Sequence, residues 1–258
     1  MITTKSPQEI EYMREAGRIV ALAHKAIQPY LVEGTTTKQI NDICESTILK
    51  HHAIPSFKGL YGFCAAVCTS VNSTLVHGIP DENTILKNGD IISVDIGACY
   101  KGYHGDSAWT YAIGEVSEET LNLMKVTHDA LFVGLSYAKA GNHLSDISHA
   151  IGEYVISHGY SIPTGYTGHG IGTEVHEDPI VPNFGPAGRG VILKEGMTIA
   201  VEPMVHAGKP QTRTLKDGWS VVSKDGSNTA HYEHTIVITK DGYEILTTIN
   251  KEEFNKNG

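Results

Sequence analysis

Residues 85–95, ILKNGDIISVD, and residues 192–202, ILKEGMTIAVE, are nearly the same phrase written twice. They agree at Ile, Leu, Lys, Gly, Ile and Val, and each closes an apolar run on an acid, Asp95 and Glu202, 107 positions apart. Recurrence of this kind is the sequence trace of a structural unit used twice. It predicts one domain spanning 1–258 and built of two related halves, about 1–116 and 117–258. Each half would deliver a carboxylate to the interface between them.

A carboxylate inside an apolar strand is costly unless something positive compensates it. Asp95 interrupts Ile91, Ile92, Val94 and Ile96, and Glu233 sits within AHYEHTIVIT, again a strand pattern with a charge inside it. Asp95, Glu202 and Glu233 therefore read as strand residues. Gly105-Asp106-Ser107 taken alone reads as a turn, the ordinary setting of an exposed acid. His169 stands in the glycine-dense GYTGHGIGTEVHEDP. No Lys or Arg lies within two residues of His77, Asp95, Asp106, His169, Glu202 or Glu233. Four carboxylates in one site would repel strongly, and two divalent cations would neutralise them. Oxygen ligands with one imidazole suit Mn, Fe, Co or Zn.

The remaining text is that of an ordinary globular chain, 40% hydrophobic and 19% charged. A net charge of −9 without a Lys/Arg cluster argues against a nucleic-acid surface. No run of eighteen apolar residues occurs, and MITTKSPQEIEYM has no signal-like apolar core, so neither membrane insertion nor secretion is expected. Cys44, Cys64, Cys68 and Cys99 make no disulfide framework, which points to a reducing cytoplasm. Cys64 and Cys68 also lack the second ligand pair of a zinc knuckle.

Ser6-Pro7-Gln8-Glu9 reads as a capping box, and Ile10, Met13, Val20, Ala23 and Ile27 continue a helix to Gln28-Pro29. Further helices are expected from Thr37 to about His51, from Ser117 onwards, and from Ser145-Asp146 to the stop at His158-Gly159. CAAVCTSVN, TLVHGIP and DIISVDIGACYKGYHGDSAWTYAIG have β texture, and strands are expected again from about Ile199. No linker divides the chain.

HGIP, VDIG…HGDSA, GHGIG…HEDP, VEP and HYEHT follow in order over nearly the whole chain. Together they resemble the methionine aminopeptidase family in its short, bacterial-type form, type I. The resemblance implies the α/β (α+β) pita-bread fold of creatinases and aminopeptidases, with antiparallel strands inside and helices outside. It implies that Asp95, Asp106, His169, Glu202 and Glu233 are metal ligands, with Asp106 and Glu233 bridging two divalent ions (Co, Mn, Fe or Zn). The implied reaction is removal of the N-terminal methionine from peptides and nascent chains when the second residue is small. A metal-bridging hydroxide would attack, and Glu202 would relay its proton to the leaving amine.

The same resemblance gives His176 the developing oxyanion and His77 the backbone after the scissile bond. It places Phe63, Cys68, Val175 and Trp219 at the methionine side chain. Cys64 departs from the family's usual proline, and Val175 stands where many members have a bulky aromatic. It also implies a monomer, with possible docking to the ribosome. His231 shares a strand face with Glu233, and His234 points the other way. Either a partner-satisfied His231 or one close to the metals fits that spacing.

Rival readings make different demands. A dinuclear phosphoesterase needs Lys or Arg beside the acids to clamp phosphate. A prolidase-like dipeptidase carries an additional N-terminal domain for which 258 residues leave no room. A non-catalytic pita-bread binding module would have lost ligands. HExxH fails at Ile180, and GYTGHGIG lacks the lysine of a phosphate loop.

Overall fold

A computed structural model of the chain describes residues 2–249. The last nine residues of the expected second half, 250–258, lie outside the described residues. Four α-helices are present among those described: α1 (Pro7–Ile27), α2 (Thr37–Lys50), α3 (Glu118–Leu135) and α4 (Leu144–Ser157). The first strands are β1 (Ile54–Pro55), β2 (Val67–Val71), β3 (Thr74–Val76), β4 (Ile91–Tyr100) and β5 (Tyr103–Ala112). After α4 come β6 (Gly168–Gly170), β7 (Glu177–Val181), β8 (Thr198–Val201), β9 (Met204–His206) and β10 (Thr212–Thr214). The last are β11 (Val221–Ser223), β12 (Thr229–His231), β13 (His234–Ile238) and β14 (Tyr243–Ile245).

The helices begin where their caps dictate. Ser6 Oγ accepts from the Glu9 N–H while Glu9 Oε2 accepts from the Ser6 N–H at 2.7 Å, and Pro7 opens α1 without a missing donor. Ser117 caps α3 through the Thr120 N–H at 3.2 Å. The start of α4 differs from expectation. It is His143, not Ser145, whose backbone is capped, by Asp146 Oδ2 at 2.8 Å. Ser145 instead donates to Arg189 O and lies within the first turn.

All named strand pairings are antiparallel. In one sheet β4 pairs with β5 along its whole length and with β1 and β2 on its other edge; in another the order is β14-β13-β8-β6-β7. Smaller sheets join β10-β11-β3 and β12-β9. Strands thus return at Gly168, well before Ile199. The glycine-dense segment enters the sheet because a Cβ at 168 would lie 2.3 Å from Ala200 O, so only glycine lets β6 approach β8 this closely.

Helices cover the outer faces. Ile19, Val20, Ala23 and Ile27 of α1 join Ile40, Cys44 and Ile48 of α2 over Ile92, Val94 and Ile96. Leu123, Leu131 and Leu135 of α3 and Ile147 and Ile151 of α4 cover Ile199, Val201 and Ile236. Alternation along the strands then turns the other side chains inward, to the face the helices leave free.

Candidate metal centre

Asp95 and Asp106 come from the middle of the β4–β5 hairpin. Asp95 is opposite Ala108 and Asp106 is opposite Gly97, so both carboxylates share the inward face. Asp106 is a strand residue, not the turn residue its neighbours suggest in isolation. Its N–H donates to Thr235 Oγ1 at 3.0 Å, which ties β5 to β13.

Glu202 and Glu233 differ from expectation in the opposite sense. They sit in two-residue breaks, Glu202-Pro203 between β8 and β9 and Tyr232-Glu233 between β12 and β13. Pro203 has no N–H for a ladder, and the paired chains change sheets at this level: β8 pairs with β13, whereas β9 pairs with β12. Such an interruption re-aims side chains. Asn183 Nδ2 holds the Glu202 carbonyl at 2.9 Å, and the Glu233 N–H donates to Ala108 O at 2.8 Å.

The acids converge with two histidines. His169 Nε2 is 3.4 Å from Glu202 Oε1 and 3.9 Å from Asp106 Oδ2. His231 Nε2 is 3.2 Å from Glu202 Oε2 and 4.0 Å from Glu233 Oε2. Ligand atoms of Asp106, His169 and Glu233 lie within 4.8 Å of one another, as do those of Glu202, His231 and Glu233. Asp95 belongs to neither triplet but lines the same cavity. The His169 Nδ1 contact to Gly170 O, 2.9 Å, fixes the ring with Nε2 towards the acids. His231 is the functional candidate that sequence spacing left open, and its even separation from Glu233 was the available signal. His234 faces the other side of the sheet, where Nδ1 meets Thr247 Oγ1 at 2.7 Å.

The electrostatics of the cluster decide what can compensate it. Burial lifts the Asp95 carboxyl to about 6, with Glu202 adding to the rise and His231 opposing it. Burial also pushes Asp106, Glu202 and Glu233 well above the carboxylate range, and for Asp106 and Glu233 the neighbouring acids push further. His169 is driven down to about 4 by burial and by His176. Asp95 Oδ1, Asp106 Oδ1 and Glu233 Oε1 are buried with no hydrogen-bond partner among the described residues. No Lys or Arg is among the residues lining the cavity. Buried oxygens in this number, with neutral imidazoles and no cationic side chain, fit divalent metal ions.

The cavity has a volume of 770 Å³ and two kinds of wall. His77, at φ 59°, and His176 line it beside the acids, and burial holds both imidazoles below their usual range, His77 to about 4. A left-handed non-glycine residue such as His77 is uncommon and is held by its surroundings. His77 follows β3 in a segment without regular structure, whereas His176 sits in a bend that leads into β7, so their matching His-x-x-Pro spacing does not reflect matching local structure.

Phe63, Cys68 and Val175 form a buried apolar cluster with Phe57, and Trp219 packs on it, its ring 5.1 Å from that of Phe63. Phe57 and Tyr61 escaped the sequence reading, since neither carries a motif. Cys64 is exposed, and burial beside Asp95 raises the Cys68 thiol. A larger cavity, 1230 Å³, lies behind the same strands, lined by Trp109, His128, Phe132 and His234 among others. Its one acid, Asp129, is paired with Lys125, so it has no comparable cluster.

Known proteins resemble this chain in sequence and in fold. Residues 11–240 match the model of metallopeptidase family M24. Methionine aminopeptidase 1 of Bacillus subtilis is 51% identical over 249 residues, covering 96% of this chain and all of that protein. The crystal structure of methionine aminopeptidase from Thermotoga maritima superposes with a TM-score of 0.95 at 45% identity, covering 96% of this chain and 100% of the other. Prolidase from Pyrococcus furiosus shares the fold, with a TM-score of 0.79 at 24% identity, but this chain covers only 66% of it.

Proposed function

The chain belongs to metallopeptidase family M24, and we propose that its cavity of buried acids holds two divalent ions for the hydrolytic release of N-terminal methionine. The fold is the pita-bread fold, and the protein is a metal-dependent aminopeptidase that removes the N-terminal methionine. In our reading it is one catalytic domain of two related halves. Asp106 and Glu233 would help to hold both ions, Asp95 one of them, and His169 with Glu202 the other. The single observation that carries this reading is the set of three buried carboxylate oxygens with no hydrogen-bond partner, in a cavity lined by no cationic side chain, among the described residues. Co, Mn, Fe and Zn all suit these donors.

Bound ions of this kind polarise the scissile carbonyl and lower the pKa of water. The chain's own groups do the rest. Glu202 accepts the proton of the attacking water and returns it to the leaving amine. His176 donates a hydrogen bond to the carbonyl oxygen as charge develops there. His77 contacts the backbone of the second residue. Phe63, Cys68, Val175 and Trp219 receive the methionine side chain, with Phe57 behind them. A thioether is polarizable and apolar, and it packs well against aromatic rings such as Phe63 and Trp219.

In the same reading the substrates are peptides and nascent chains with a small second residue, and the enzyme acts as a monomer in the cytoplasm, near the ribosome. No described helix is long and apolar enough to cross a membrane. Metal titration by calorimetry and hydrolysis of Met-Ala-Ser alongside Ala-Pro test the reading together. Two ions bound and cleavage of Met-Ala-Ser alone are expected. Full turnover after exhaustive chelation would refute it.

A further inference from the structure

Tyr61 lies outside every motif, yet its placement is unusual in three respects. It is 75% exposed, the most exposed of the large hydrophobic side chains among the described residues. Its backbone is left-handed, φ 50°, a conformation that β-carbon sterics discourage. Its ring lies nearly parallel to that of His176, 11° between planes with centroids 5.9 Å apart, and its hydroxyl is 3.5 Å from His176 Nδ1.

The loop that presents Tyr61 is firmly built. The Gly59 N–H donates to Phe63 O at 2.8 Å, the Gly62 N–H to Gly59 O at 3.1 Å, and the Phe63 N–H to Leu60 O at 2.9 Å. Gly59 and Gly62, both at positive φ, bracket the strained residue. Strain maintained by a closed set of hydrogen bonds marks a position that the surroundings over-determine, and such positions cluster at functional sites. A solvent-facing tyrosine gains nothing from this backbone by itself.

We infer that Tyr61 is a positioning residue for His176: its ring plates the imidazole and its hydroxyl donates to Nδ1, leaving the ring proton on Nε2. This rests on the assignment of His176 to the substrate carbonyl oxygen. A neutral imidazole carries one ring proton, so whichever nitrogen accepts leaves the other as donor. His176 has a second ring neighbour in His169, edge to face at 4.5 Å between centroids. His169 and Tyr61 thus both pack against the imidazole. Among the described residues the Tyr61 hydroxyl is the recorded partner of Nδ1, and hydrogen bonds of this length at catalytic sites commonly tighten when substrate binds.

A double-mutant cycle with metal-saturated enzyme tests the coupling. Tyr61→Phe keeps the stack and removes only the hydroxyl, so kcat should fall about 3- to 10-fold with KM changed less than about 2-fold. Tyr61→Ala should lose more. In the His176→Ala background Tyr61→Phe should change kcat less than about 1.5-fold, because the group it acts through is gone. The ¹⁵N shifts of His176 should report an Nε2–H tautomer that is lost in Tyr61→Phe, independently of turnover. An equal kcat loss in both backgrounds, a loss confined to KM, or an unchanged His176 tautomer would overturn the role. Should His176→Ala alone retain full kcat, the carbonyl assignment falls first, and the Tyr61 role falls with it.

Discussion

The β4–β5 hairpin and the β8–β13 ribbon deliver two carboxylates each to the same cavity, and they do it by different means. In the hairpin, two ten-residue strands run unbroken, so alternation alone turns Asp95 and Asp106 inward. In the ribbon, both chains break at the same level, and Glu202 and Glu233 emerge from the gaps. Aspartate suffices where the strand already lies beside the site. A longer side chain serves where the backbone turns away.

A seam of hydroxyls joins the two regions. Ser107 Oγ donates to Glu233 O at 2.6 Å, Thr110 Oγ1 accepts from the His231 N–H at 2.9 Å, and Thr235 Oγ1 donates to Asp106 O at 2.8 Å. The acids of one region are therefore fixed through the backbone of the other. The comparison teaches that the repeated phrase ILKxG…V(D/E) specifies where an acid goes, while the seam specifies how the acids meet.

The sharpest way to break the comparison is to remove one acid from each region. Asp106→Ala and Glu233→Ala should each reduce activity by well over the roughly 10- to 100-fold expected for outer partners of a metal site. Metal analysis of the purified proteins should find fewer than two ions per chain. Retention of two ions at normal affinity by either variant would remove its bridging role.

Charge compensation predicts an inverse effect without metal. The Asp95 carboxyl, raised to about 6, binds its proton more tightly folded than unfolded. Its contribution therefore favours the fold at low pH and turns unfavourable as pH rises from its ordinary value through about 6. His169 and His77, held near 4, work in the opposite direction by favouring the fold as pH rises from there through their ordinary range. The informative quantity is thus the difference between variants. In chelator, Asp95→Asn should be more stable than the parent at pH 7 by about 2 kcal/mol, and the gap should close towards pH 4. With metal, the order should reverse. Urea titrations at both pH values, with and without chelator, measure it; a pH-independent gap would show that Asp95 is compensated by the protein itself.

Much of this arrangement is legible from residues alone, and the exceptions have physical causes. Asp95, Glu202 and Glu233 advertise themselves as charges in apolar text. The breaks at Glu202-Pro203 and Tyr232-Glu233 do not, because apolar residues continue on both sides and the change of sheet is decided by partners far away in sequence. Asp106 looks like a turn because Gly105 precedes it. That glycine is required for contact instead, since a Cβ there would lie 2.7 Å from Gly17 N of α1. His231 depends on the same break for its approach to Glu202. Tyr61 is invisible because its role lies in a backbone conformation.

An intermediate loss is expected from the two histidines beside the acids, His77 after β3 and His176 before β7. His176→Ala should lower kcat by about 10- to 100-fold with a smaller change in KM, while metal content and fold are unaffected. His77→Ala should do likewise with a larger share in KM, because in its proposed role His77 would contact the substrate backbone in ground state and transition state alike. A rise in KM alone for His176→Ala would assign it to ground-state binding.

The seam itself should matter less, yet measurably. Thr235→Val leaves the Asp106 N–H and carbonyl without their hydroxyl partner while preserving shape, which costs about 1–3 kcal/mol of stability for buried groups left unpaired. Metal affinity should weaken by about 10-fold, because Asp106 is then free to shift relative to Glu233. Thermal unfolding and competitive metal titration separate the two effects, and unchanged metal affinity would reduce the seam to a packing feature.

The smallest effect is expected at the apolar wall of the cavity, outside both regions, where the proposed function seats the methionine side chain. Phe63 approaches from the first part of the chain and Val175 from the second, where it is 2% exposed and packed in the same cluster as Cys68. Valine leaves the wall beside His176 shorter than an aromatic residue would. Val175→Phe should therefore narrow the approach to the scissile bond more than the methionine pocket itself. Discrimination of this sort in apolar surroundings is modest, so kcat/KM for Met-Val-Ser should fall about 3- to 10-fold relative to Met-Ala-Ser. Overpacking adds a stability cost of about 1–3 kcal/mol, which thermal unfolding would register separately. Equal losses on both peptides would show that residue 175 packs the wall without selecting the second residue. A loss on Met-Val-Ser alone would show that residue 175 helps to set that tolerance.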